Sequence, residues 1–366
     1  MKAFALTRAA MWAALAAGAA VPAAADSGPA CYDRSTQPNL AIVDSHLHFR
    51  PFGGSPIPHQ DLTRMLKNAG IRYANVFGIG QTLPYDSSCT YYLNCPGTPV
   101  IPNLKNDIIN AENVSEFPVQ VPRLTMSMSF ADLAKPHTVK RGMAVLDEEF
   151  PGLFKWMGEL NLVKQALFNN GHRPVTIEEI RGWGPFMAAL RERNMPIGLH
   201  GDLGEDGAPT KYLDLITEVM QRYPDNKVVW LHMGLSKELT AIDPDQHIKI
   251  LRNLLDKHPN MMIDLSWRVI YDNYFLKPAV RAKYVPFINQ YSRRILPGTD
   301  FVASDDKTFD SYLEELKATS FIYQFVDDDA FRNIALGQNY FDMLKLPDKA
   351  PVICGARQGR QLQALK

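Results

Sequence analysis

Two histidines separated by a single residue open the chemistry of this chain. In Asp44-Ser45-His46-Leu47-His48-Phe49, an extended backbone puts His46 and His48 on one face and Leu47 on the other, because successive side chains alternate. Two imidazoles on one side of a strand can bind one metal ion, and neutral imidazole suits zinc, iron or nickel. Taken alone, the pair is equally what two unrelated polar strand residues would give. Three further places change the balance. Pro196-Ile197-Gly198-Leu199-His200 and Val228-Val229-Trp230-Leu231-His232 each end an apolar run in a histidine, and Leu296-Pro297-Gly298-Thr299-Asp300 ends one in an acid. A buried histidine or aspartate without a partner is costly. Singly, each reads as a hydrogen-bonded structural group; together they read as groups converging from several strand ends.

Such residues need elements that deliver them to one place. Short apolar runs occupy residues 40–49, 72–80, 123–130, 153–162, 196–202, 227–234, 261–267 and 295–301, with amphipathic stretches between them at 60–69, 176–193, 210–223 and 246–257. Strands alternating with helices predict an α/β protein with a parallel sheet. Eight runs make a closed (β/α)8 TIM barrel the first choice and a doubly wound open sheet the alternative. His200 and His232 lie one β/α unit apart and Asp300 two units further on, so the polar residues fall at C-terminal strand ends, where barrels carry their active sites. The longest interruption, residues 81–122, is rich in Pro, Asn, Tyr and Cys and reads as a braced loop over one end of the barrel. No internal repeat beyond the β/α alternation and no low-complexity linker divides the chain, so one domain is expected.

The first residues differ from the rest. Lys2 and Arg8 flank the start, an Ala-rich apolar stretch runs from Ala9 to Val21, and Ala23-Ala24-Ala25 offers a small-residue cleavage site. That is the layout of a signal peptide over residues 1–25, leaving 26–366 as a periplasmic or secreted domain. The stretch is short of the roughly 20 residues a membrane span needs, so no anchor is expected after cleavage. In an oxidising compartment four cysteines favour disulfides. Cys89 and Cys95 can close their loop locally and Cys31 and Cys354 can staple the ends, although four cysteines allow three connectivities. Lys plus Arg and Asp plus Glu balance at 39 each, which gives no electrostatic case for nucleic acid as a partner. A small-molecule substrate is the expected partner; a homo-oligomer is compatible with the sequence but not dictated by it.

The chain resembles the amidohydrolase superfamily, close to its amidohydrolase-2 branch. The resemblance rests on Asp44-Ser45-His46-Leu47-His48 on strand one, His200 on strand five, His232-Met233-Gly234 on strand six and Gly298-Thr299-Asp300 on strand eight, and spans residues 40–346. The segment Ile334-Ala335-Leu336-Gly337-Gln338-Asn339-Tyr340-Phe341 is similar to the family's closing helix, with Gln338 interrupting the usual Gly-Asn pair. The resemblance implies a divalent metal, zinc first, as one or two ions. It implies that His46, His48 and Asp300 bind the more buried ion. His200 and His232 would then bind a second, or one would ligate while the other polarises the substrate. Two-metal members carry a bridging carbamylated lysine or glutamate on strand four, and Glu159 is the residue offered here; Lys155 shares its face but sits too deep.

The chemistry so implied is hydrolysis by a metal-activated water. Asp300 would orient the water, take its proton and pass it to the leaving group, and His232 or a second ion would polarise the bond under attack. Arg268 is the candidate for an anionic part of the substrate, with Lys307 a lesser one. An amide, a lactone or another ester is the expected substrate. Decarboxylation of an unsaturated or aromatic acid is the alternative, and a barrel that binds without turnover is a third. The remaining histidines, His59, His137, His172, His247 and His258, read as solvated or structural. Asp44 is a candidate support for the metal ligands, and Trp183, Trp267 and Tyr91-Tyr92 are candidate pocket walls.

Overall fold

The computed structural model describes residues 31–84, 87–89 and 91–355; the signal segment expected at 1–25 lies outside them. Within them the apolar runs become strands: β1 (Val43–His48), β2 (Tyr73–Phe77), β3 (Arg123–Met128), β4 (Phe154–Val163), β5 (Ile197–Gly201), β6 (Val228–Trp230), β7 (Met261–Asp264), β8 (Ile295–Leu296) and β9 (Phe301–Val302). They form one sheet in the order β8-β7-β6-β5-β4-β3-β2-β1-β9, and every neighbouring pair is parallel. β1 and β5 are buried along their whole length, as strands covered on both faces must be.

The sheet is curled, barrel-like, and its two end strands, β8 and β9, adjoin in the chain. β8 and β9 are separated only by Pro297, Gly298, Thr299 and Asp300. That segment bonds to both sides: Ser45 N–H donates to Pro297 O at 3.2 Å and Asp300 N–H to His46 O at 2.7 Å, while Leu265 N–H reaches Leu296 O at 3.0 Å and Trp267 N–H reaches Thr299 O at 3.3 Å. Where the sequence suggested one run at 295–301, two short strands flank a turn. The turn needs Gly298, since a Cβ there would lie 2.8 Å from the His46 Cβ. Aromatic rings pack against the histidines. Phe77 packs edge-on against Trp156 with ring centroids 5.4 Å apart and against His46 at 4.7 Å.

Helices between the strands cover the outside, and some of them are started by side-chain caps. Thr176 and Thr308 form reciprocal capping boxes, and Asp243 accepts from Gln246 N–H at the start of Pro244–Lys257. The amphipathic stretch at 176–193 is two helices, Ile177–Arg181 and Gly184–Glu192. The segment at 81–122 is more ordered than the sequence suggested. It holds a two-residue hairpin, the Cys89–Cys95 disulfide and a helix, Lys105–Glu116. That helix turns Asn106, Asp107 and Asn110 inward along with Ala111, so its buried face carries no apolar stripe to read. The second disulfide joins Cys31 to Cys354. No described helix is long and apolar enough to cross a membrane.

Candidate metal centre

Strand parity delivers the histidines. Val43 and Leu47 face the helices, and His46 and His48 face the interior, fully buried. Glu159 enters from β4, His200 from the end of β5 and His232 from the turn after β6. Asp300 arrives from the turn between β8 and β9. Four of the residues at these ends hold positive-φ backbone, His232 at φ 58°, Met233 at 54°, Trp267 at 78° and Asp300 at 59°. Such conformations cost non-glycine residues on the order of 1–3 kcal/mol each and cluster where a site over-determines them.

Each imidazole is oriented by its outer nitrogen. His46 Nδ1 meets Asp264 Oδ2 at 2.9 Å, His48 Nδ1 meets Gly78 O at 3.0 Å, His200 Nε2 meets Asp202 Oδ1 at 2.9 Å and His232 Nδ1 meets Ser266 O at 3.2 Å. All four partners are acceptors, so each outer nitrogen donates, and the inner one offers a lone pair to a cation once any proton on it is displaced. The inner nitrogens converge on two carboxylates. Glu159 Oε2 lies 3.0 Å from His48 Nε2 and 3.5 Å from His46 Nε2; Asp300 Oδ1 lies 3.2 and 3.3 Å from the same two atoms. On the other side Glu159 Oε1 lies 2.6 Å from His200 Nδ1. His46 Nε2, His200 Nδ1 and His232 Nε2 are buried and, close as the carboxylates are, have no well-directed hydrogen bond to any described residue.

This donor set fits a divalent cation. Two atoms that each bind zinc at about 2.0–2.2 Å in a tetrahedral shell stand roughly 3.3 Å apart. The distances around His46, His48, Glu159 and Asp300 bracket that value. Glu159, His200 and His232 make a second group of converging donors, and His46, His232 and Asp264 a third. The electrostatics agree. Burial disfavours a charged His46, but its hydrogen bond to Asp264 and the nearby Asp300 and Glu159 carboxylates raise it to about 10. Burial also pushes Glu159 and Asp300 up, and the cations around them overcome it: Lys164 and His200 for Glu159, His46 and His48 for Asp300, so both sit below the ordinary carboxylate range. His232 is instead lowered to about 4 by burial, which keeps its inner lone pair free. Buried carboxylates and imidazoles in this balance hold protons that a cation would displace.

The amidohydrolase family profile matches residues 43–339, from the first strand to the last helix. The chain belongs to the amidohydrolase family. As an amidohydrolase it is an enzyme of the metal-dependent hydrolase class, and its His, Glu and Asp cluster suits a divalent metal. No curated protein matches the sequence. Among solved structures this amidohydrolase is similar to a dihydroorotase of Campylobacter jejuni, with 14% identity over 85% of each chain and a TM-score of 0.51. It is similar to a Pseudomonas putida protein assigned as a 2-pyrone-4,6-dicarboxylic acid hydrolase, with 14% identity over 86% of this chain and 100% of that one, TM-score 0.52. A third is an amidohydrolase of Burkholderia multivorans with bound zinc, with 12% identity over 84% and 100%, TM-score 0.50. At such identities the likeness is one of fold.

His46, His48, Glu159, His200, His232 and Asp300 thus come together in this amidohydrolase, while Arg268 is engaged by acidic side chains outside that set. Its side chain is 42% exposed and is engaged by Asp272 at 3.2 Å and Glu315 at 3.9 Å. Lys307 donates to Val302 O at 2.8 Å over the Phe301 ring. Lys155 is exposed, and a register shift between Met157 and Leu160 separates it from Glu159. Asp44 faces the turn before Asp300, accepting from Thr299 N–H at 3.0 Å, Thr299 Oγ1 at 2.7 Å and Tyr312 OH at 2.9 Å. Trp267 lies against His232 and His200, at 5.0 and 5.8 Å, whereas Trp183 is core and donates to Leu133 O. His247 is structural, between Tyr284 OH and Met233 O. Sequence reasoning missed Asp264, Asp202, Ser266 and Lys164. Asp264 carried the same signal as the others, an acid ending the apolar run Met261-Met262-Ile263-Asp264. Lys164 carried none.

Proposed function

We propose that this amidohydrolase cleaves an amide, a lactone or another ester of a small molecule, with a divalent ion held by His46, His48, Glu159 and Asp300. The observation that carries the reading is the set of four imidazoles, each fixed from outside by an acceptor, whose inner nitrogens meet two buried carboxylates. When bound, such an ion brings the pKa of water toward neutrality and supplies positive charge beside the bond to be cleaved. The chain's own residues do the rest. Asp300, the most accessible of the four at 12% side-chain exposure, is a carboxylate that can accept a proton and return it to the leaving group. His232 Nε2 and Trp267 face the same space, where they border the scissile group. Glu159, at 4% exposure, is a ligand and not a proton carrier, because its oxygens are already shared between His48 and His200.

We read β8 and β9 as a single eighth strand broken at Pro297–Asp300, which closes a (β/α)8 barrel around this centre, and the domain as exported. The two disulfides support an oxidising compartment. The test is metal content by elemental analysis, on protein purified without chelators, together with turnover of a panel of esters, lactones and amides. Wild-type protein should hold metal and His46→Ala should lose it along with activity. Metal content unchanged in His46→Ala, or protein that binds neither zinc nor manganese, overturns the ligand assignment. Release of CO2 from an unsaturated acid with no hydrolysis product overturns the reaction class.

A further inference from the structure

Reading the cluster as a metal centre leaves open how many ions it holds, and one buried side chain bears on that. Lys164, the first residue after β4, reaches back so that its Nζ lies 2.7 Å from Glu159 Oε1. Its side chain is 10% exposed. A buried ammonium needs a paired charge, and this one has a prepared place. Its backbone N–H donates to His172 Nε2 at 3.1 Å. The next residue is tied twice, Gln165 N–H to Asp202 Oδ2 at 2.7 Å and Gln165 Nε2 to Gly204 O at 2.7 Å. Asp202 is also the acceptor that orients His200, so one aspartate sets both the arm bearing Lys164 and the imidazole beside it. The Phe52 ring lies 5.5 Å from the ammonium, a cation–π distance.

The two oxygens of Glu159 therefore face different surroundings. Oε2 meets His48 and His46 at separations that suit a shared ion. Oε1 meets His200 Nδ1 at 2.6 Å, shorter than the roughly 3.3 Å that two zinc ligands keep, and it is already neutralised by the ammonium. A second divalent ion on Glu159, His200 and His232 would sit within a few ångströms of that ammonium, in a buried place where like charges are poorly screened. We infer that the centre is mononuclear, one ion on His46, His48, Asp300 and Glu159 Oε2, with the Lys164 ammonium holding the place of a second cation on Glu159 Oε1. The inference rests on the metal-centre reading. It makes Lys164 a positioning residue that keeps Glu159 from bridging and leaves His200 and His232 facing the substrate.

The experiment is metal stoichiometry of the full chain, by elemental analysis and by calorimetric titration of chelator-stripped protein with Zn2+ and with Mn2+. Wild type should saturate at one equivalent. Lys164→Met, which keeps the length of the stem and removes the charge, should take up a second equivalent at least tenfold more tightly than any further binding to wild type. Lys164→Arg, which keeps the charge, should remain at one. Two equivalents in wild type, or one in both wild type and Lys164→Met, overturns the inference while leaving the metal centre intact. No binding at all in wild type overturns the metal-centre reading instead. Should Lys164→Met not fold, the wild-type protein decides alone: saturated with Mn2+ it should give the electron paramagnetic resonance of isolated ions, and an exchange-coupled pair overturns the proposal.

Discussion

Asp300 leaves its strand in a left-handed conformation, φ 59°, with its amide donating to His46 O at 2.7 Å. The backbone bond and the Asp44 bonds to Thr299 just before it hold the carboxylate over the two histidines. Burial opposes its ionisation, but His46 and His48 more than offset that and keep it charged. A charged acceptor at the open side of the cluster is what proton transfer requires, and a group in that role contributes about 10²- to 10⁴-fold to rate. Asp300→Asn should therefore lower kcat by about that factor and change KM far less, since the substrate's other contacts remain. Metal content measured on the same sample separates a lost ligand from a lost base. An unaltered kcat would remove Asp300 from the reaction. At this scale the sequence was informative wherever parity and strand ends coincide, as at His46, His48, His200, His232 and Asp300. It was silent on Lys164, whose position depends on a side chain folding back over Glu159 and on two ties to another loop.

The elements show a different limit. Helix Lys105–Glu116 packs its polar side inward, and Asp107 is the reason: it accepts from Ser129 N–H at 2.8 Å, Ser129 Oγ at 2.6 Å and Phe130 N–H at 3.0 Å, tying the helix to the end of β3. Periodicity of apolar residues cannot reveal a helix attached in this way. β2 approaches the same point so closely that a Cβ at Gly78 would lie 2.2 Å from Ser129 Oγ and 2.3 Å from Asp107 Oδ1. Gly78 O also orients His48, so this packing reaches the metal centre. Burial pushes the Asp107 carboxyl up to about 7, although its three hydrogen bonds act in the opposite direction. The unfolded chain, with an ordinary value near 3.8, loses that proton first. Between about pH 4 and pH 7 the folded state thus binds more protons, and stability from this group falls as pH rises. Asp107→Asn cannot titrate, so the melting temperature of wild type minus that of Asp107→Asn should decline from pH 5 to pH 7.5. The slope is the readout, since Asn loses acceptor capacity at every pH. A difference that stays flat over that range would mean the hydrogen bonds outweigh burial and Asp107 is ionised throughout.

For the whole molecule, alternation of strands and helices made the parallel sheet legible, and the broken strand around Asp300 was not, because its turn is dictated by the close approach of Gly298 to His46. Pairing of the cysteines was open in the sequence and is resolved by the fold, which brings the two ends of the described chain to one edge. Tyr32 N–H donates to Val352 O at 2.7 Å and Cys354 N–H to Tyr32 O at 2.9 Å, a single parallel bridge beside the Cys31–Cys354 disulfide. The leading segment also packs on the helices after β9, with the Tyr32 ring 5.5 Å from Phe331 and the Arg34 guanidinium paired with Asp328 at 2.6 Å. A crosslink between residues 323 positions apart removes more freedom from the unfolded chain than the one closing Cys89 to Cys95, six apart. In the chain-entropy account a loop that long contributes about 5–6 kcal/mol, against about 2–4 kcal/mol for disulfides in general. Cys31→Ser should therefore unfold at a lower denaturant midpoint and with a steeper slope, because the freed unfolded chain exposes more surface, while Cys89→Ser shifts the midpoint less. Turnover at 25 °C should be retained in Cys31→Ser, because the segment it anchors packs through Arg34 on Tyr323, Val326, Asp328 and Phe331, which are not members of the histidine cluster. Equal midpoints for Cys31→Ser and wild type would mean that the backbone bridge and the Arg34 pair hold the ends by themselves.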